Sequence, residues 1–107
     1  MALKITTPIK TTTDFETSKT LVFVDIYLIK GNTWANLTYF ESQKAFKAGA
    51  SPFTPALPGY VTNMPLNIPT NVFWGNNLAT AIHAEIKTEL EKTSGPNTIT
   101  IVQDPYS

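Results

Sequence analysis

TLVFVDIYLIK, Thr20 to Lys30, is dense in β-branched and aromatic side chains, the types that fit a pleated, half-buried surface. Strand alternation puts Val22, Val24, Ile26 and Leu28 on one face and Leu21, Phe23, Asp25, Tyr27 and Ile29 on the other. Both rows are mostly apolar, so a strand at least partly covered on both faces is expected. Gly31-Asn32 supplies a turn, and WANLTYF, Trp34 to Phe40, returns. Residues 20–40 therefore read as an antiparallel hairpin.

Upstream of the hairpin, Leu3 and Ile5 alternate ahead of Pro8, which suits a short edge strand or an extended arm. Residues 11–19, TTTDFETSK, read as a polar loop without a packed element, with Phe15 as its one apolar anchor, so residues 1–19 form an N-terminal arm and loop. Downstream, Glu41 to Pro52 can continue the strand or make a helical turn ended by Gly49, and an irregular continuation is favoured.

Ser51 to Thr70 holds five of the eight prolines, set among Phe53, Leu57, Tyr60, Val61, Met64, Leu66 and Ile68. Such a stretch cannot be helical, is too apolar for a flexible linker and is too long for a turn. It reads as a contact arm reaching another surface. Asn76-Asn77 caps a helix running to about Lys92, with Gly95-Pro96 as its stop. Leu78, Ala79, Ile82, Ile86 and Leu90 share one helical face, opposite Thr80, Lys87 and Glu91. Asn97 to Gln103 alternates like a closing strand. Strands, one helix, then a strand indicate an α+β domain: an antiparallel sheet or small β-sandwich with a flanking amphipathic helix and extended arms.

A chain of 107 residues is one domain with a modest core, which makes a homo-oligomer plausible. Eight acids balance eight bases, leaving no long-range field to attract nucleic acid or an anionic membrane. Only 15% of residues are charged, well below the ordinary quarter, and threonine hydroxyls take much of the polar surface. The absence of cysteine rules out disulfides and thiolate metal sites. The apolar run Leu21–Ile29 contains Asp25 and is too short to span a bilayer as a helix, and no signal-peptide core opens the chain. The expected location is the cytoplasm or an assembly built there.

Catalytic candidates are sparse. His83, the sole histidine, lies on the border of the helix stripe with Lys87 as its i+4 neighbour, a poor orienter for a general base. Glu85 and Glu89 share a helix face but read as a solvated rim, and Asp25 has no second carboxylate marked for glycoside chemistry. No residue set calls for a metal or cofactor. Trp34, Trp74 and Tyr60 are candidate stacking platforms for sugars. Asn36-Leu37-Thr38 matches the glycosylation triplet, which carries little meaning without a secretion signal.

The block YFESQKAFKAGASP, Tyr39 to Pro52, resembles a recurring stretch of small tailed-bacteriophage virion proteins in its aromatic strand end, Ser42, spaced Ala45 and Ala48, Gly49 and Pro52. The Thr/Asn/Pro-rich, cysteine-free, charge-poor composition agrees in manner. The resemblance implies a structural subunit of a tail, neck or capsid that binds copies of itself and adjacent virion proteins, found in the host cytoplasm before assembly and in the virion after it. It transfers no catalytic residue. The interface candidates are Leu3 and Ile5 on the N-terminal arm, Phe53 and Tyr60 on the proline-laced arm, and Leu78, Ile82, Ile86 and Leu90 if the helix stripe meets a symmetry mate. A small carbohydrate-binding module using exposed aromatics is the alternative.

Overall fold

The structure, a computed structural model, describes residues 1–12, 15–29, 32–56, 59–66 and 78–106. Along the chain lie β1 (Ala2–Ile5), β2 (Ile9–Lys10), β3 (Glu16–Thr17), β4 (Thr20–Ile29), β5 (Asn32–Phe40), α1 (Gln43–Lys47), β6 (Asn63–Leu66), α2 (Leu78–Ser94) and β7 (Ile99–Val102). The expected α+β class is the one adopted. An antiparallel five-stranded sheet runs β6-β5-β4-β1-β7, and β2 pairs with β3 in a small second sheet.

The hairpin is the backbone of the large sheet. β4 and β5 pair from Leu21↔Phe40 to Ile29↔Asn32, so the two side-chain rows of β4 fall on opposite faces. One row is the main core. Leu3, Ile5, Val22, Leu37, Tyr39 and Ile99 are buried there with Ile82, Ile86 and Leu90 of α2, each such burial stabilising by about 1.5–3 kcal/mol. The other row carries a smaller aromatic cluster under α1 and the C-terminal turn. The rings of Phe23 and Phe46 are 4.5 Å apart, Phe40 and Phe46 5.0 Å, and Phe46 and Tyr106 5.6 Å. The order of layers is thus α2, sheet, then α1 with the C-terminal turn.

Three expectations are corrected. First, residues 2–5 are neither an arm nor an edge strand: Leu3 lies between Val22 and Ile101, and Ile5 between Thr20 and Ile99. Both are fully buried, because two apolar residues at strand spacing fill the gap between β4 and β7. Second, the described residues of 11–19 are not an unpacked loop. β3 lies there and pairs with β2 just upstream, and the Thr17 hydroxyl donates to the Glu41 carbonyl at 2.6 Å. The Phe15 ring is 49% exposed, and it is the Phe15 backbone that holds the loop, its carbonyl accepting from the Thr11 amide at 2.7 Å.

Third, Glu41 to Pro52 is not irregular. Ser42 caps α1 by accepting from the Ala45 amide at 3.0 Å, and the helix closes when Gly49 takes φ +85°. The Ala50 amide then bonds the Ala45 carbonyl and the Gly49 amide bonds the Phe46 carbonyl, both at 3.0 Å. That pair of bonds is a Schellman closure, which needs a residue without Cβ strain at the left-handed position. Its outcome is a tight corner: the Phe53 amide reaches back to the Tyr39 carbonyl at 2.8 Å. α2 ends as expected at Gly95, whose amide bonds the Glu91 carbonyl at 2.9 Å. The Gly31 turn, the Asn76-Asn77 cap, and Phe73 and Trp74 lie outside the described residues.

Candidate functional site

Each of the eight interface candidates packs within its own chain. Leu3, Ile5, Tyr60, Ile82, Ile86 and Leu90 belong to the buried core, and Phe53 and Leu78 are half-buried against it. The amphipathic stripe of α2 meets the sheet, leaving it no apolar face for a symmetry mate. The proline-laced segment is likewise no free arm over its described part. Pro55 bridges Thr11, the Ala56 amide donates to the Lys10 carbonyl at 2.8 Å, and residues 63–66 form β6. Prolines kept the segment out of helix, but edge strands accept them, and of its described apolar side chains Tyr60 and Met64 join the core with Phe53 and Leu66 packed against it.

Tyr60 sits beside Tyr39 rather than at the surface, and Tyr39 donates its hydroxyl to the Val61 carbonyl at 2.8 Å. Burial holds the Tyr39 phenol far above the ordinary tyrosine range, and the neighbouring Tyr60 pushes the same way. Burial raises Tyr60 as well, against a hydrogen bond with Ser94. Gly59 comes so close to α2 that a Cβ there would overlap the Thr93 side chain.

His83 lies deeper than a border position. Its Nδ1 is 2.6 Å from the Ala79 carbonyl, so that nitrogen carries the proton and donates, while Nε2 is buried without a hydrogen-bond partner. A substrate would have to enter the core to meet it. Glu85 and Glu89 line an open groove of about 470 Å³ between β6 and α2, and Glu89 pairs with Lys92 at 3.0 Å. Among the described residues no three His, Cys, Asp or Glu side chains converge on a metal position. None of the described helices is long and apolar enough to cross a membrane.

The sheet edges, which sequence reading passed over, differ from one another. The Leu37 amide bonds the Thr62 carbonyl at 2.8 Å, which fixes the phase of the β5–β6 ladder, so Asn63 and Pro65 turn their backbones outward. Proline has no amide hydrogen to offer, and β6 is blunted there. On the opposite side the Thr6 amide bonds the Thr98 carbonyl at 2.9 Å. By the same alternation Ile99 and Ile101 face outward from β7. The Ile99 amide is 3.4 Å from a Glu91 carboxylate oxygen. Ile101 has no such cover among the described residues, and ITIV carries neither charge nor proline. The signal was present in the sequence, as an unguarded strand and a guarded one, but edge status depends on strand order.

On the sheet face opposite α2, Asp25 and Asn63 are exposed while Tyr27, Trp34 and Asn36 are half-buried. Tyr27 and Trp34 are cross-strand neighbours, and the next rung holds Asp25, Asn36 and Asn63. The Tyr27 hydroxyl donates to Asn63 Oδ1 at 2.9 Å. Asp25 is exposed there. No protein family, characterised relative or solved structure matches this chain.

Proposed function

We propose that this protein is a structural virion subunit, of a tail, neck or capsid, that associates with copies of itself and with neighbouring virion proteins through the open β7 edge. The observation that carries this reading is the outward amide and carbonyl of Ile101 on β7, a strand without charge or proline of its own, whereas Pro65 removes one of the two outward amides of β6 and leaves that of Asn63. Support also comes from Tyr39 to Pro52, the block that resembles phage virion proteins. Ser42, Ala45, Ala48 and Gly49 each have a defined position in the capped corner, as suits a building element rather than a reactive site.

A four-residue strand buries far less than the roughly 800 Å² per partner of a stable pair. Association through it alone is weak and concentration-dependent, and β7 pairing with β7 closes at two copies, so larger assembly draws on contacts with neighbouring proteins. Ile101→Pro tests this by doing to β7 what Pro65 does to β6. It removes an outward amide and leaves the ladder to β1 intact, while Ile101→Ala removes the side chain and keeps the amide. Sedimentation across a concentration series should show association in the parent and in Ile101→Ala but not in Ile101→Pro. Equal behaviour of the two variants rejects the edge contact.

The half-buried Tyr27 and Trp34 beside the exposed Asp25 and Asn63 favour a second reading, a carbohydrate-binding module. Two aromatic rings beside an amide and carboxylate row offer stacking and hydroxyl recognition without a basic groove. Glycan binding that survives Ile101→Pro and disappears in Trp34→Ala would favour this reading over the first.

A further inference from the structure

We infer that a pocket formed by β1, the β3–β4 turn and the start of α1 binds a small multivalent oxyanion of the phosphate class. The pocket, of about 180 Å³, is lined by Lys4, Lys19, Leu21, Ser42, Gln43 and Lys44. All eight basic residues of the chain are lysines, and three of them meet here from positions far apart in sequence. The fold assembles them through β1–β4 pairing, which sets Lys4 beside Leu21. The Thr17 hydroxyl bond to the Glu41 carbonyl then ties the turn bearing Lys19 to the corner bearing Lys44.

Lysines on a neutral protein are ordinarily interleaved with acids. No acid lines this pocket, and the single ion pair among the described residues is Lys92–Glu89. Three like charges around one concavity repel one another, and an anion with two or more charges relieves that repulsion while accepting their hydrogen bonds. The floor is Leu21, 1% exposed, which keeps water from solvating the site from below. The Ser42 oxygen accepts from the Ala45 amide, leaving its hydroxyl hydrogen to donate into the pocket. Lysine binds such groups as a point charge rather than a fork, and three such charges around one cavity match an oxyanion carrying two or more charges better than a single carboxylate. The site lies apart from the β7 edge contact and stands or falls without it.

Amide NMR spectra of the full chain, titrated with sodium phosphate and with glycerol phosphate against sodium chloride at matched ionic strength, test the site. Saturable shifts at residues 4, 19 and 42–44 are expected with both phosphates and not with chloride. The thermal midpoint should rise with phosphate as ligand binding requires. The double variant Lys4→Gln/Lys19→Gln should weaken binding by at least about tenfold without lowering the midpoint in chloride, since it relieves repulsion. Lys44→Gln provides a second, single-site variant with the same expected direction. Chloride and phosphate responses that coincide, or phosphate shifts that persist unchanged in these variants, overturn the inference.

Discussion

Leu3→Ala separates a strand built into the core from an arm that docks elsewhere. Leu3 is fully buried, flanked by Val22 on β4 and Ile101 on β7, and it belongs to the cluster completed by α2. With a strand on each side and a helix above, the site has little freedom to collapse. The loss should therefore fall at about 4–5 kcal/mol, the upper half of the range for buried leucine truncations. That is a large share of the roughly 5–15 kcal/mol available to a small domain. Urea unfolding followed by circular dichroism at low protein concentration is the assay. Lys4→Ala is the matched control, since Lys4 points to the opposite, exposed side of the same strand and should shift stability by less than about 0.5 kcal/mol. A Leu3→Ala loss under about 1 kcal/mol, or midpoints that coincide for the two variants, would refute the placement of β1 inside the sheet.

Gly59→Ala should destabilise the monomer by about 1–3 kcal/mol, because the new Cβ meets the Thr93 side chain, and an unchanged melting curve would mean that residues 59–66 do not rest on α2. Ser42→Ala should cost about 1 kcal/mol by removing the α1 cap, and a cap without energetic weight would show no change in the unfolding midpoint. Stability should fall as pH rises above about 10, where the unfolded chain ionises its tyrosines while burial keeps Tyr39 protonated. The raised folded value makes the contribution complete below pH 10 and loses it at about 1.4 kcal/mol per pH unit above. Tyr39→Phe should flatten that slope at a cost of about 1 kcal/mol for the lost bond to Val61; an identical alkaline slope in this variant would count against Tyr39 as its origin.

Local pattern made the hairpin, α2 and β7 legible, because each shows its own period: two for Val22 to Leu28, and 3.6 for Ile82, Ile86 and Leu90. Partners were harder to read than elements. Leu3 and Ile5 carry the same alternation whether they cover a neighbour or fill their own sheet, and the choice is made by β7, almost a hundred residues downstream. Phe53 and Tyr60 misled for a related reason. Proline excludes helix, but it does not say whether apolar residues beside it dock within the chain or outside it. The α1 corner was readable in principle from Ser42 and Gly49, and strand propensity in the preceding residues outweighed those caps. The lysine pocket had no linear signature, and the unguarded strand ITIV could be recognised as an edge only once strand order was known, since each depends on which strands become neighbours.

The Ile101 amide proton tests the central claim most directly. It points away from β1, so among the described residues of one copy nothing protects it, whereas pairing between β7 edges would bury it in a new ladder. Hydrogen exchange at this amide, measured from dilute to concentrated protein, should slow as concentration rises while the inward Thr100 amide stays protected throughout. Exchange at Ile101 that remains fast and independent of concentration, under conditions where the protein nevertheless associates, would contradict assembly through the β7 edge.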